Sequence, residues 1–196
     1  MSHQFLEDLA RPQPDPGGGA AAAFGARVAL ALVEKVARLE YQRPRKEESG
    51  AFWGKIRQEI QEIAHNLADL QEQDVQAYFQ LTRALAAGDA AALVMAVRRA
   101  VQCPGEIMVQ ARQGLNLITD VGQKCRSYLI SDLQVACELL GGVLLGAYHI
   151  ARANLPFFQD EGNRQIDHDR LNQWRDAALA ARDRARMELG KRAEPV

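Results

Sequence analysis

The sequence predicts an all-α fold, a bundle of long antiparallel helices forming one domain over residues 1–196. Three observations predict it. Apolar residues recur at helical spacing along the whole chain, and no alternating strand pattern rises above that periodicity. Prolines and glycines punctuate the periodic stretches at their ends. At 196 residues the chain is long enough to bury one sizeable core.

The elements follow in order. Ser2 suits the cap of a short helix ending near Leu9, stopped by Pro12, Pro14 and Pro16. A long helix follows over residues 18–42, closed by Pro44 and a charged loop over 43–48. The next runs over 49–87 and stops at Gly88, after which Asp89 caps a helix predicted to end at Cys103, before Pro104. Pro104 suits the first turn of a further helix, with Glu106 near its positive end, reaching Lys124. Residues 131–155 form the next helix, broken by Pro156. A polar link over 159–167 then leads to a charged helix over 169–191 and a disordered tail.

Charge and composition exclude several function classes. With 24 basic against 25 acidic residues, a general nucleic-acid-binding surface or a membrane-surface role is disfavoured, so an anionic ligand must be met by local charges. Cys103, Cys125 and Cys137 show neither CxxC spacing nor a partnered histidine, which argues against zinc and disulfides and suits a reducing cytoplasm. His3, His65, His149 and His168 are dispersed, and no nucleophile–base arrangement is visible. The N-terminus lacks the basic and long apolar regions of a signal peptide. The most apolar run, residues 139–151, is shorter than the roughly 20 residues a membrane span needs and reads as a buried helix.

The most informative stretch is Pro16-Gly17-Gly18-Gly19, which feeds directly into Ala20-Ala21-Ala22-Ala23. Proline fixes φ, the glycines let backbone amides approach a ligand or neighbour, and the first amides of the helix lack intrahelical partners. This reads either as a flexible joint or as one wall of an anion or polar-ligand site. No Gly-Lys-Ser/Thr follows and no strand precedes, so nucleotide-binding motifs are unsupported. Small-residue strips, Ala21, Gly25 and Ala29 on one helix and Gly142 and Gly146 beside Gly141 on another, suggest close packing of these two helices or a dimer contact.

Two carboxylates fall where leucines are expected. The stripe Ile56, Ile60, Ile63, Leu67, Leu70 continues onto Asp74, then Tyr78, Leu81 and Leu85. A carboxylate there is either a hydrogen-bonded structural acceptor or a group of tuned pKa. Asp132 opens the stripe Ala136, Leu140, Val143, Ala147, Asn154; Ser131 with Gln134 reads as a capping box, and Asp132 also suits the helix dipole. Asn154 at the far end suits an ordinary helix C-terminus.

In this order and spacing, several motifs together resemble the cyclodeaminase/cyclohydrolase family over residues 4–160. They are Phe5-Leu6 with Leu9-Ala10, the triple glycine running into alanines, Asp74 with Ala77-Tyr78, Pro104, Ser131-Asp132-Leu133, and Asn154-Leu155. The family comprises the cyclodeaminase domain of formiminotransferase-cyclodeaminase and the stand-alone methenyltetrahydrofolate cyclohydrolases. The resemblance implies an all-helical homodimer that handles a one-carbon unit on tetrahydrofolate. It would either close 5-formiminotetrahydrofolate with loss of ammonia or hydrolyse 5,10-methenyltetrahydrofolate to 10-formyltetrahydrofolate, with the folate as substrate and no metal or redox cofactor. It further implies acid/base and cation-stabilising roles for Asp74 and Asp132, and substrate contacts from Gly17, Gly18, Gly19, Ser131 and Asn154. Three of the motifs depart from the pattern. Ala20 replaces the serine after the glycines, Lys35-Val36 and Glu40 replace Met-Val and a threonine, and Ile150 replaces the first asparagine of a pair whose second is Asn154.

Overall fold

In the computed structural model, which describes residues 2–43 and 47–193, the apolar stripes become six α-helices. They are α1 (Ser2–Leu9), α2 (Gly18–Tyr41), α3 (Glu47–Ala87), α4 (Ala90–Lys124), α5 (Ile130–Asn154) and α6 (Glu161–Ala193). Short 3₁₀ turns, Ser127–Leu129 and Leu155–Phe157, flank α5. The fold is all-α, and among the described residues there is no strand.

The core forms around α4, which packs against α2, α3, α5 and α6. Its glycines set the spacing. A Cβ at Gly114 would lie 2.9 Å from Leu140 Cδ1 of α5, and one at Gly122 would lie 2.7 Å from Leu189 Cδ2 of α6, so bare backbone brings both neighbours close. The alanine-rich face of α2, buried at Ala23, Ala26 and Ala29 with Leu30, Val33 and Val36, packs on α3 and α5. The short α1 is held over the start of α2 by the Phe5 and Phe24 rings, 4.8 Å apart.

Helices α2 and α5 run antiparallel. Gly18 lies against Ile150, Gly25 against Val143, and Lys35 is bonded to Asp132. The two helices therefore do pack, Gly25 of the α2 strip lying against Val143, but the small strips do not meet: Gly141 faces Arg182 of α6, and Gly142 and Gly146 have open space where a Cβ would stand. The segment Ser127–Phe157 is long and apolar enough to cross a membrane by composition, yet half of its most apolar window is buried against the rest of the protein.

Four boundaries differ from expectation, each for a physical reason. α4 passes through Pro104 unbroken. Proline removes the N–H that would bond the Ala100 carbonyl four residues back. Asn154 Nδ2 donates to that carbonyl instead, at 2.9 Å, so the freed acceptor is satisfied from α5. α6 begins at Glu161, eight residues before the expected Asp169, because Asp160 caps it: its Oδ1 accepts from the Asn163 N–H at 2.7 Å. Ser131 is not a cap. The 3₁₀ turn runs straight into α5, Ile130 donates to the Ser127 carbonyl, and Ser131 lies exposed in the first helical turn. α3 starts at Glu47, so residues 47 and 48 of the expected 43–48 loop are helical; Arg43 stays outside the helices, and 44–46 lie outside the described residues. Ser2, expected as a cap, is the first residue of α1, and the tail over 194–196 falls outside the described residues. Asp89 caps α4 as expected, accepting from the Ala91 and Ala92 amides.

Candidate functional site

The glycine loop ends at Gly17, the N-cap of α2, which has extended backbone and no side chain to offer the helix. The first-turn amides of α2 therefore need an outside acceptor. Asp74 supplies it from α3, its Oδ2 accepting from the Ala20 N–H at 3.0 Å. The anion at this helix terminus is thus the protein's own carboxylate. The approach is possible only over bare backbone, because a Cβ at Gly19 would overlap the Asp74 carboxylate. At Gly18 a Cβ would stand 3.2 Å from Ile150 Cδ1, and at Gly17 it would meet nothing tighter than the Pro14 carbonyl at 3.5 Å. Gly19 is the strict position of the three.

Above this contact lies a cleft of about 230 Å³, lined by Asp15, the three glycines, Asp74, Tyr78, Ile150 and Asn154, with Leu81 and Ala100 in its wall. Burial pushes the Asp74 carboxyl above the ordinary aspartate range, and the Ala20 N–H pulls weakly the other way. A carboxyl tuned upward in a partly apolar cleft takes up a proton more readily than a free aspartate, which suits it to proton exchange. Cys103 is close by but inert: burial, and then the Asp74 charge, push its thiol up to about 12, and its Sγ faces the Leu70 carbonyl at 3.6 Å.

Of the residues singled out in the sequence, Gly17, Gly18, Gly19, Asp74 and Asn154 come together in this cleft. Asn154 reaches it because α5 runs back along α2, and its Nδ2 is committed to the Ala100 carbonyl. Ser131 and Asp132 do not join them. They sit at the start of α5, beside Lys35, whose Nζ bonds Asp132 Oδ2 at 2.8 Å. Lys35 is fifteen residues beyond Ala20 on α2, so the two carboxylates are separated by roughly 22 Å along the helix axis. The antiparallel pairing of α2 and α5 imposes this separation.

Two departures from the family pattern have clear structural places. The buried Glu40 accepts from the Arg126 backbone N–H at 3.1 Å and from Arg126 Nε at 3.0 Å, tying the end of α2 to the α4–α5 connection. Ala20 is fully buried, and its contribution to the site is its backbone N–H. Larger hollows lie elsewhere: an apolar groove of about 610 Å³ around Met95 and Ala96, and a polar one of about 350 Å³ around Glu59, Glu62 and Asp120. Neither contains a residue of the ordered motifs. Among the described residues, no group of three or more His, Cys, Asp or Glu side chains is placed to hold a metal.

The family model for formiminotransferase-cyclodeaminase matches residues 1–173. The chain belongs to the formiminotransferase-cyclodeaminase family. No curated protein sequence matches it. Among solved structures, the crystal structure of formiminotetrahydrofolate cyclodeaminase from Thermotoga maritima superposes with a TM-score of 0.90 at 21% identity, covering 97% of this chain and 96% of that one. At that identity the likeness speaks for the fold.

Within this family member, Asp15 is a cleft residue that periodicity could not find, because it lies in the loop before α2. Its available signal was position: a charged residue enclosed by Pro14 and Pro16, immediately before the glycines. Ile150 lines the cleft where the family pattern has asparagine, so this wall is apolar.

Proposed function

We propose that the chain processes a one-carbon unit on tetrahydrofolate, either hydrolysing 5,10-methenyltetrahydrofolate to 10-formyltetrahydrofolate or cyclising 5-formiminotetrahydrofolate with release of ammonia. The observation that carries this reading is the Asp74 carboxylate, raised in pKa by burial and held over Gly19 by the Ala20 N–H at the floor of a cleft. Both reactions pass through a carbon flanked by nitrogens and bearing positive charge, which an adjacent carboxylate stabilises. In the hydrolysis, water adds to the methenyl carbon as Asp74 takes one of its protons; that proton goes to N5 as the C–N5 bond breaks, and the remaining hydroxyl proton leaves to solvent as the formyl C=O forms. In the cyclisation, N10 attacks the carbon of the protonated formimino group, and Asp74 takes the N10 proton and passes it to the nitrogen that departs as ammonia. The glycines form the wall against which a flat ring lies, and Asn154 offers its uncommitted Oδ1.

A cleft of about 230 Å³ is smaller than the ~300–1,000 Å³ common for small-molecule sites, which favours a second wall from another subunit. In this reading the protein is a homodimer joined through the outer face of α2 and α5, where Val28, Val135 and Leu139 are exposed beside the bare Gly142. A twofold axis through the middle of that face would lay the Ser131–Asp132 end of one subunit over the Asp74 end of the other. Its three buried free thiols suit a reducing cytoplasm.

The test is the optical decay of 5,10-methenyltetrahydrofolate. Wild type should outrun buffer, and Asp74→Asn should lose about 10²–10⁴-fold. Equal rates for both, no faster than buffer, would sink the reading. A second reading, a family member that binds folate or another helical partner without turnover, draws on the apolar Ile150 in the cleft. It predicts calorimetric binding of a folate with no decay above buffer.

A further inference from the structure

Among the described residues, two carboxylates line the cleft and no basic side chain does. Asp74 is anchored by the Ala20 N–H, whereas the carboxylate of Asp15 has no hydrogen bond or ion pair with a described residue. Asp15 is held at its backbone instead: Gln13 Nε2 donates to its carbonyl at 2.7 Å, and prolines on both sides restrict the chain. A half-buried acid on a stiffened loop, facing a cleft without a cation, is arranged for a donor that arrives with the ligand.

We propose that Asp15 is a specificity-determining residue that binds the 2-amino-4-oxopyrimidine edge of the pterin ring, one carboxylate oxygen accepting from N3–H and the other from the exocyclic amino group. This rests on the folate reading above. An ionised carboxylate is an acceptor-only group with two oxygens side by side, and that edge of the ring presents two donors side by side. Asp74 is unsuited to the task, since one of its oxygens is committed to Ala20 and it is the group tuned to exchange a proton. The division of labour is therefore between a proton-exchanging carboxyl at the reacting carbon and a fixed carboxylate at the far edge of the ring. A pocket built to bond donors rejects an analogue that lacks one, because the acceptor is then left unpaired.

Calorimetry with 5-formyltetrahydrofolate and with its 2-desamino analogue, on wild type and Asp15→Asn, tests this. Removing the amino group should weaken wild-type binding about tenfold or more, the worth of one bond to a charged group. The same change should weaken Asp15→Asn by no more than about threefold, because its carboxamide offers a donor where the ring needs an acceptor. Asp15→Glu should recover part of the discrimination. In the decay assay, Asp15→Asn should raise KM with kcat nearly unchanged. Equal losses in wild type and Asp15→Asn, in a protein whose wild type does turn over the methenyl form, overturn this inference alone. A wild type that neither binds 5-formyltetrahydrofolate nor accelerates the decay overturns the folate reading and this inference with it.

Discussion

Replacing Gly19 by alanine tests the central contact of the site. The added Cβ would occupy the space of the Asp74 carboxylate, so Asp74 must withdraw and release the Ala20 N–H. Losing a charge-assisted bond costs about 1.5–3 kcal/mol and forcing a methyl into packed space about 1–3 kcal/mol, while alanine returns at most ~1 kcal/mol of helix propensity. The net destabilisation is about 1.5–5 kcal/mol, and for a chain of this size that lowers Tm by about 3–20 °C. Thermal unfolding followed by circular dichroism measures it. Gly17→Ala is the internal control, since its Cβ meets only an ordinary contact and its backbone is already extended, so its Tm should move by no more than about 2 °C. Gly18→Ala should fall between the two, limited by Ile150. Repeating Gly19→Ala in an Asp74→Ala background should abolish most of its cost. A Gly19→Ala protein as stable as wild type, or one whose loss is the same with and without Asp74, would refute the reasoning.

Two further outcomes follow from the same structure. Because burial raises the folded-state pKa of Asp74 above its unfolded value, its contribution to stability is fully present below the ordinary aspartate range and is lost as pH rises through the raised value. The stability of wild type relative to Asp74→Asn should therefore fall with rising pH across that window; Tm measured for both from pH 4 to pH 8 checks it, and a gap that widens in favour of wild type would contradict the assignment. Asn154→Leu should cost about 1–3 kcal/mol by leaving the Ala100 carbonyl unpaired. Pro104→Ala restores a backbone N–H for that carbonyl, so urea denaturation of the double variant should show much of the loss recovered.

Helix type, the approximate place of most helices and the position of Asp74 were legible because each rests on a local pattern of 3.6-residue periodicity or on one polar residue interrupting it; helix number was not, since seven helices are expected and six form. What was illegible depends on residues far apart in the chain. Pro104 reads locally as a break, and only the amide of Asn154, arriving from α5, allows the helix to continue. Ser131 and Gln134 match a capping pattern, but a preceding 3₁₀ turn had already taken up the helix start. The first two turns of α6 are too polar to show a stripe, and the helix is begun by Asp160. The candidate site divides along the same line. Asp74 and the glycines are found by composition and spacing, while the distance from Asp74 to Asp132 follows from the antiparallel run of α2 and α5, which no local pattern encodes.

The bond between Asp74 and the Ala20 amide has one more consequence. An ionised acceptor holds a backbone N–H roughly twice as strongly as a neutral one. Whenever Asp74 takes up a proton, its grip on the first turn of α2 slackens, and when it gives the proton away the grip returns. The glycine loop, and with it the wall that a flat ring would lean on, is thus fastened to the protonation state of the acid beneath it. A chemical step that moves a proton onto Asp74 would also loosen the clamp around the ligand, so that turnover and release would draw on one event.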